Sequence, residues 1–244
     1  MNFLAQIKLR KELPEDSYLL SLAPVRYLME GHVLSFDRPV TFFVGENGTG
    51  KSTLLEAIAV SCGFNAEGGT RNFRFSTNDT HSVLGEYLTP ARRSYPKDGF
   101  FLRAESFYNV ATNIDQMDAE FSFGPRLIDS YGGVSLHRQS HGESFLALVQ
   151  NRFRGNGLYL LDEPEAALSP SKLLVLLAEM HRLVEAGSQF VIATHSPILM
   201  AYPGAQLYEM SSVRPVAYQE TEHYQLTRQF LNHPEQMLHY LLEE

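Results

Sequence analysis

Val40 to Cys62 reads VTFFVGENGTGKSTLLEAIAVSC, and its three parts decide the fold. The opening VTFFV is a short, unbroken apolar run, the pattern of a parallel strand covered on both faces. Gly45-Glu46-Asn47-Gly48-Thr49-Gly50-Lys51-Ser52 then satisfies G-x-x-x-x-G-K-[ST]. Thr53 and the residues after it predict a helix. Glycines let successive backbone N–H groups turn inward and form a nest for oxyanions. The helix beginning near Lys51 adds the positive end of its dipole. Lys51 has the reach for the β- and γ-phosphates of a nucleotide, and Ser52 offers a hydroxyl to Mg2+. The competing reading is a plain glycine-rich turn. A buried strand before and a helix after supply the context that the phosphate-binding reading requires.

The rest of the chain suits that reading. At 244 residues it fits one large domain, and 44% hydrophobic with 20% charged residues is enough to bury a core. The net charge of −8 argues against a broadly cationic nucleic-acid surface, though not against a local patch. Cys62 is the single cysteine, so neither an intrachain disulfide nor a cysteine-based zinc site can form. No apolar run approaches the roughly 20 residues of a membrane span. The N-terminus alternates charge too early for a secretory signal, and a cytoplasmic location is expected.

Strands are predicted at Asn2–Leu9, with Phe3, Ala5, Ile7 and Leu9 on one side, and near His32–Phe36. Residues 63–139 hold twelve aromatics, among them Phe73, Phe75, Tyr87, Phe107 and Phe123, and read as an inserted lobe or β-layer with a strand at Gly99–Ala104. Periodic structure resumes with a helix at Glu143–Phe153 and a buried strand at Leu158–Leu161. Next come a helix capped by Ser169-Pro170 and a third buried strand at Gln189–Thr194. The tail from about residue 205 is acidic and predicts two short strands and one terminal helix. Alternating strands and helices predict an α/β fold of P-loop NTPase type: a largely parallel central sheet flanked by helices, an antiparallel β-layer and an inserted lobe.

Two strand ends carry further chemistry. LYLLDEPEAALSP places Asp162 and Glu163 at the end of a buried strand, where ligands meet parallel sheets. Asp162 is the candidate Mg2+ carboxylate and Glu163 the candidate general base toward water. Helix-capping acids are the alternative. VIATHSPIL sets His195 off a third strand, able to donate to a γ-phosphate oxygen. Incidental placement beside a Ser-Pro cap is the alternative there.

These elements in this order resemble an ABC-superfamily ATPase. GENGTGKST matches Walker A, QSHGES the signature motif, LYLLDEPEAALSP Walker B with the following D-loop, and ATHSP the switch histidine. The likeness covers residues 40–61 and 138–199. Within the superfamily it is closer to the soluble RecF, SMC and OLD-type ATPases than to transporter subunits. The resemblance implies one ATPase domain over 1–244, with ATP and Mg2+ as cofactors. It also implies an ATP-dependent head-to-tail homodimer, in which Ser140 and Gly142 of one copy contact the γ-phosphate held by the other. Gln139, His141 and Glu143 depart from the usual L-S-G-G-Q, and Glu143 could cap its own helix. Ser169 stands where a D-loop Asp is usual. No Q-loop glutamine follows the Gly99–Ala104 strand, where Glu105 and Ser106 stand instead. Tyr27 is a candidate to stack on adenine, with a core role as the alternative.

The leading functional expectation is a soluble ATPase that drives or gates a protein partner, in DNA repair or defence. A transporter's nucleotide-binding subunit and an ATP-gated scaffold without turnover are the alternatives. The altered signature speaks against the first, and the full set of Lys51, Ser52, Asp162, Glu163 and His195 against the second. DNA is a candidate partner through ARRSYPK, residues 91–97, where bases flank an aromatic; a solvated loop is the simpler reading.

Overall fold

The computed structural model describes residues 2–71, 83–103, 112, 115, 128–129, 133, 135, 137 and 140–242. Much of the stretch expected to form the lobe therefore lies outside the described residues, including Phe73, Phe75, Glu105, Ser106, Phe107, Phe123 and Gln139.

Nine strands are described. They are β1 (Leu4–Leu9), β2 (Leu34–Ser35), β3 (Val40–Val44), β4 (Leu88–Arg92), β5 (Asp98–Arg103), β6 (Gly157–Asp162), β7 (Gln189–Ala193), β8 (Gln206–Glu209) and β9 (Arg214–Pro215). The helices are α1 (Ala23–Met29), α2 (Lys51–Ser61), α3 (His141–Arg152), α4 (Pro170–Glu185), α5 (Pro197–Met200), α6 (Glu222–Asn232) and α7 (Pro234–Leu242). The main sheet has the order β5-β6-β7-β3-β8-β9, parallel except for β9. A second, antiparallel sheet has the order β2-β1-β4.

The central strands are apolar throughout because both faces are covered. Val40, Phe42 and Val44 of β3 join Tyr159 and Leu161 of β6 and Phe190 and Ile192 of β7 on one face, beneath α3 and α4. Phe43, Leu158, Leu160, Val191 and Ala193 point the other way, into a second core built with α2, α1 and the antiparallel sheet. In α4, Leu173, Leu176, Met180 and Leu183 form the buried stripe, as their spacing predicts.

Three expectations are corrected. In β1 the buried pair is Leu4 and Ile7, while Ala5 and Leu9 are only half-buried. A register shift against β4 between Leu4 and Gln6 resets the alternation, so residues three apart face the core together. The Gly99–Ala104 strand is not part of a separate lobe. As β5, it is an edge strand of the main sheet beside β6, while β4 completes the antiparallel sheet. The terminal helix is two helices, α6 and α7, because Pro234 cannot continue the hydrogen-bond ladder. Among the described residues, no helix is long and apolar enough to cross a membrane.

Candidate functional site

The strand register brings the candidate residues to one edge of the sheet. β7 lies between β3 and β6, with Phe43 paired to Ala193 and Ala193 to Asp162. The loop after Val44, the Thr194-His195 step and the Asp162-Glu163 step therefore leave three neighbouring strands at the same level. Ladders about 4.8 Å apart put them within roughly 10 Å of one another.

The Gly45–Gly50 loop is shaped by its glycines. Gly45, Gly48 and Gly50 hold φ of 132°, 80° and 89°, a region that side chains disfavour. Gly50 is the N-cap of α2 and has no side chain to occupy the first-turn N–H groups. Glu46 and Asn47 are exposed at the loop's crest. Thr49 Oγ1 donates to Glu46 O at 2.8 Å, bracing the turn. Lys51 is 3% exposed and its Nζ donates to Gly45 O and Glu46 O, each at 2.8 Å. Burial holds its ammonium below the ordinary lysine value, although Glu163, Asp162, Glu165 and Glu209 pull the other way. Ser52 and Thr53 complete the first turn of α2.

Asp162 ends β6 and is buried. Its cross-strand neighbour is Arg103 at the end of β5, whose Nε lies 3.4 Å from Asp162 Oδ2. The same guanidinium donates from Nη1 to Glu56 Oε2 of α2 at 2.7 Å. Arg103 thus ties Asp162, the candidate metal carboxylate, to the helix that follows the Gly45–Gly50 loop. Nothing in the local sequence marks it, because it depends on which strand lies beside β6.

Glu163 has φ 48° and ψ 53°, a left-handed backbone that is uncommon outside glycine. Such strain persists where the surroundings enforce it, and here Glu163 N donates to Ala193 O at 2.9 Å. Its Oε1 lies 3.3 Å from His195 Nε2. His195 Nδ1 lies 3.0 Å from Nε2 of His223 on α6. Burial and the nearby Lys51 hold the His195 imidazole below its usual range, against the pull of Glu163. Glu165, two residues past Glu163, accepts from Thr194 Oγ1 at 2.8 Å and from His195 N, so it clamps the histidine's backbone. Burial pushes the Glu165 carboxyl above its ordinary value. The sequence reading missed both Glu165 and His223. The first has a signal in the acidic pattern around Pro164; the second, in a distant tail, has none.

Ser140 and Gly142 lie elsewhere. Ser140 is the N-cap of α3, and its N and Oγ donate to Glu143 Oε2 at 2.9 and 2.5 Å. Glu143 does cap its own helix. Those hydrogen bonds, with Lys172 nearby, hold its carboxyl below the usual range. A Cβ on Gly142 would sit 2.8 Å from Ala167 O, so α3 begins against the segment leading into α4. Among the described residues, no hydrogen bond or ion pair joins Ser140 or Gly142 to residues 45–53. Tyr27 stacks on His32, with ring centroids 4.5 Å apart, and packs against the second core. Arg92, Arg93, Ser94 and Tyr95 line a surface cavity of about 490 Å³. They precede β5 at the opposite sheet edge from the phosphate loop, about 20 Å away along a six-residue strand.

The residues fit Mg2+ by their donor chemistry. A serine hydroxyl and one carboxylate are hard oxygen ligands, and Mg2+ commonly takes one or two carboxylates with substrate phosphates and water. Among the described residues, no group of three or more His, Cys, Asp or Glu side chains could hold a metal without such help.

Two domain models match the chain. One, an AAA domain (AAA_23), matches residues 20–106, from the segment before α1 to just past β5. Another AAA domain (AAA_21), whose description names the AbiEii toxin of type IV toxin–antitoxin systems, matches residues 128–201, spanning α3 to α5. No curated protein matches the chain. Among solved structures, CbiO1 from Clostridium perfringens, part of the ABC transporter complex CbiONQ, aligns over 100% of both chains with 15% identity and a TM-score of 0.52. A metal-chelate type ABC transporter in an inward-facing conformation aligns over 95% of this chain and 90% of its own, with 15% identity and a TM-score of 0.50. At that identity the likeness speaks for the fold. In its fold the chain resembles these ABC transporter proteins, and two successive AAA-domain matches between them take in the Gly45–Ser52 loop, Asp162, Glu163 and His195.

Proposed function

We propose that this chain binds and hydrolyses ATP, working as a head-to-tail dimer that drives or gates a protein partner. The observation carrying this reading is the shared edge of β3, β7 and β6, which gathers Lys51, Glu163 and His195 around the phosphate loop. Residues 45–53 cradle the phosphates. Lys51 exchanges its two loop carbonyls for phosphate oxygens. Ser52 and Asp162 would hold Mg2+, which when bound supplies positive charge to the β- and γ-phosphates. Glu163 orients the attacking water and takes its proton, and His195 donates from Nε2 to a γ-phosphate oxygen. Ser140 and Gly142 face the nucleotide of a second copy, where Ser140 Oγ exchanges Glu143 Oε2 for a γ-phosphate oxygen. A cytoplasmic setting accompanies this reading; DNA is a candidate partner through residues 91–97, with a solvated loop the simpler reading, and a transporter role is not favoured by any contact described.

The test is ATP binding by calorimetry together with phosphate release. Wild-type protein binds Mg-ATP and turns it over, and Lys51→Ala loses both. Unchanged affinity in a folded Lys51→Ala protein overturns the phosphate-loop assignment.

A further inference from the structure

The contact between His195 and His223 joins the candidate site to the far C-terminal part of the chain. His223 sits in the first turn of α6, and that turn is anchored. Thr221, 1% exposed, donates from Oγ1 to Tyr218 O at 2.8 Å and accepts from Tyr224 N at 3.4 Å. Tyr218 packs against the core beneath α3 and α4, and its ring meets Tyr224 with centroids 4.6 Å apart. Beyond this turn the arm buries nothing: α6 and α7 have no buried residue, and Leu226, Leu231 and Leu241 are each more than half exposed. Among the described residues, the buried anchor of the arm is the turn that carries His223.

The chemistry at that point is restrictive. A neutral imidazole has one N–H, and the other nitrogen accepts. His195 Nε2 faces the Glu163 carboxylate at 3.3 Å. An ionised carboxylate only accepts, so Nε2 is the nitrogen that carries hydrogen. Nδ1 is then an acceptor and needs a donor, and His223 Nε2, 3.0 Å away, is the group placed to supply one. The partners of each nitrogen favour the tautomer in which both imidazoles carry their hydrogen on Nε2. Lys51 and the Glu165-held backbone are the other charged or clamping groups around His195, and neither reaches Nδ1 in any described hydrogen bond.

We infer that His223 is a positioning residue, donating from Nε2 to His195 Nδ1 and so holding the His195 proton on Nε2, where it faces Glu163. The inference rests on the hydrolytic reading of the site, and it makes the first turn of α6 part of the apparatus that orients the switch histidine. Removing the donor frees His195 to take the other tautomer and rotate away, as happens when the partner that orients a ligand or catalytic histidine is removed.

Three variants and two readouts test it. His223→Phe keeps the ring and loses the donor; His223→Ala removes both; His223→Gln restores an N–H donor. In nitrogen-15 spectra of histidine-labelled full-length protein, with His195 assigned by its loss in His195→Gln, wild-type His195 shows protonated Nε2 and bare Nδ1. His223→Phe mixes the two tautomers, and His223→Gln returns the wild-type pattern. In steady-state ATP hydrolysis, His223→Phe and His223→Ala lower kcat about 10–100-fold, the range for losing an orienting partner, with KM little changed. His223→Gln recovers most of kcat. A wild-type tautomer pattern in His223→Phe overturns the inference, as does full kcat in that variant. So does a Gln variant as impaired as Phe, since the contact is then packing alone. Failure of the wild-type protein to hydrolyse ATP would count against the hydrolytic reading instead, while the spectra still report whether His223 fixes the tautomer.

Discussion

His195 Nε2 stands 3.3 Å from Glu163 Oε1, across two strand ends separated by 32 positions in the sequence. The pair exists because β6 and β7 are neighbours in parallel register, with Asp162 level with Ala193. Glu163 meets the histidine from a left-handed backbone, a strained conformation accompanied by its N–H bond to Ala193 O. An acid at this point is expected to act on water rather than to cap a helix.

Replacing Glu163 with Gln should therefore lower ATP turnover by about 10²–10⁴-fold, the span for loss of a general base, while nucleotide affinity is retained. With Mg-ATP the variant should persist as a dimer in light scattering. A strictly monomeric species at saturating ATP would count against the sandwich arrangement.

Ser140→Arg places a long cation at the N-terminus of α3. Each copy should still bind ATP with near wild-type affinity, because no described contact joins Ser140 to the phosphate loop. Dimerisation and turnover should both be lost. Retained turnover would show that α3 does not serve a second copy.

Arg103→Ala leaves Glu56 and Asp162 facing one another without their shared guanidinium. Their side chains are 8% and 6% exposed, so water cannot replace it cheaply. Breaking a buried ion pair by removing one partner costs about 3–5 kcal/mol, and urea unfolding should show a loss of that order. Arg103→Lys should recover part of it, since a point charge cannot serve both carboxylates with the same geometry.

His195 links stability to pH. Burial, with Lys51 alongside, sets its folded value below the ordinary imidazole value of 6.5. As pH falls below about 6.5 the unfolded chain takes up this proton before the folded chain does. The stability it contributes is complete above 6.5 and is lost as pH falls toward the depressed folded value. Comparing wild type with His195→Gln by chemical denaturation at pH 7.5 and in that lower window should show a smaller acid-side loss for the variant. Parallel curves would show that the imidazole is not held neutral.

The order of motifs was legible because each is local. A phosphate nest needs its glycines and lysine in one short run, and a doubly covered strand needs uninterrupted apolar residues. Residues 40–61, Asp162, Glu163 and His195 were readable on those grounds, as was the Glu143 cap. The inward face of β1 was not, because a bulge changes which side chains share a face without changing composition. The place of residues 98–103 in the main sheet was not readable either, since strand pairing is a non-local choice.

The sequence by itself determined an α/β chain with a glycine-rich loop of phosphate-binding pattern, one acidic and one imidazole strand end, and a capped helix at Ser140. Only the tertiary structure decided their company. It set β5 beside β6, so that Arg103 bridges Asp162 and Glu56. It placed Glu165 beneath the backbone of His195, and it brought His223 from the acidic tail to the imidazole's other nitrogen. The physical reason is that a hydrogen bond across 28 or 47 positions costs nothing in local propensity and leaves no periodic trace. It is fixed by strand register and by where a helix docks.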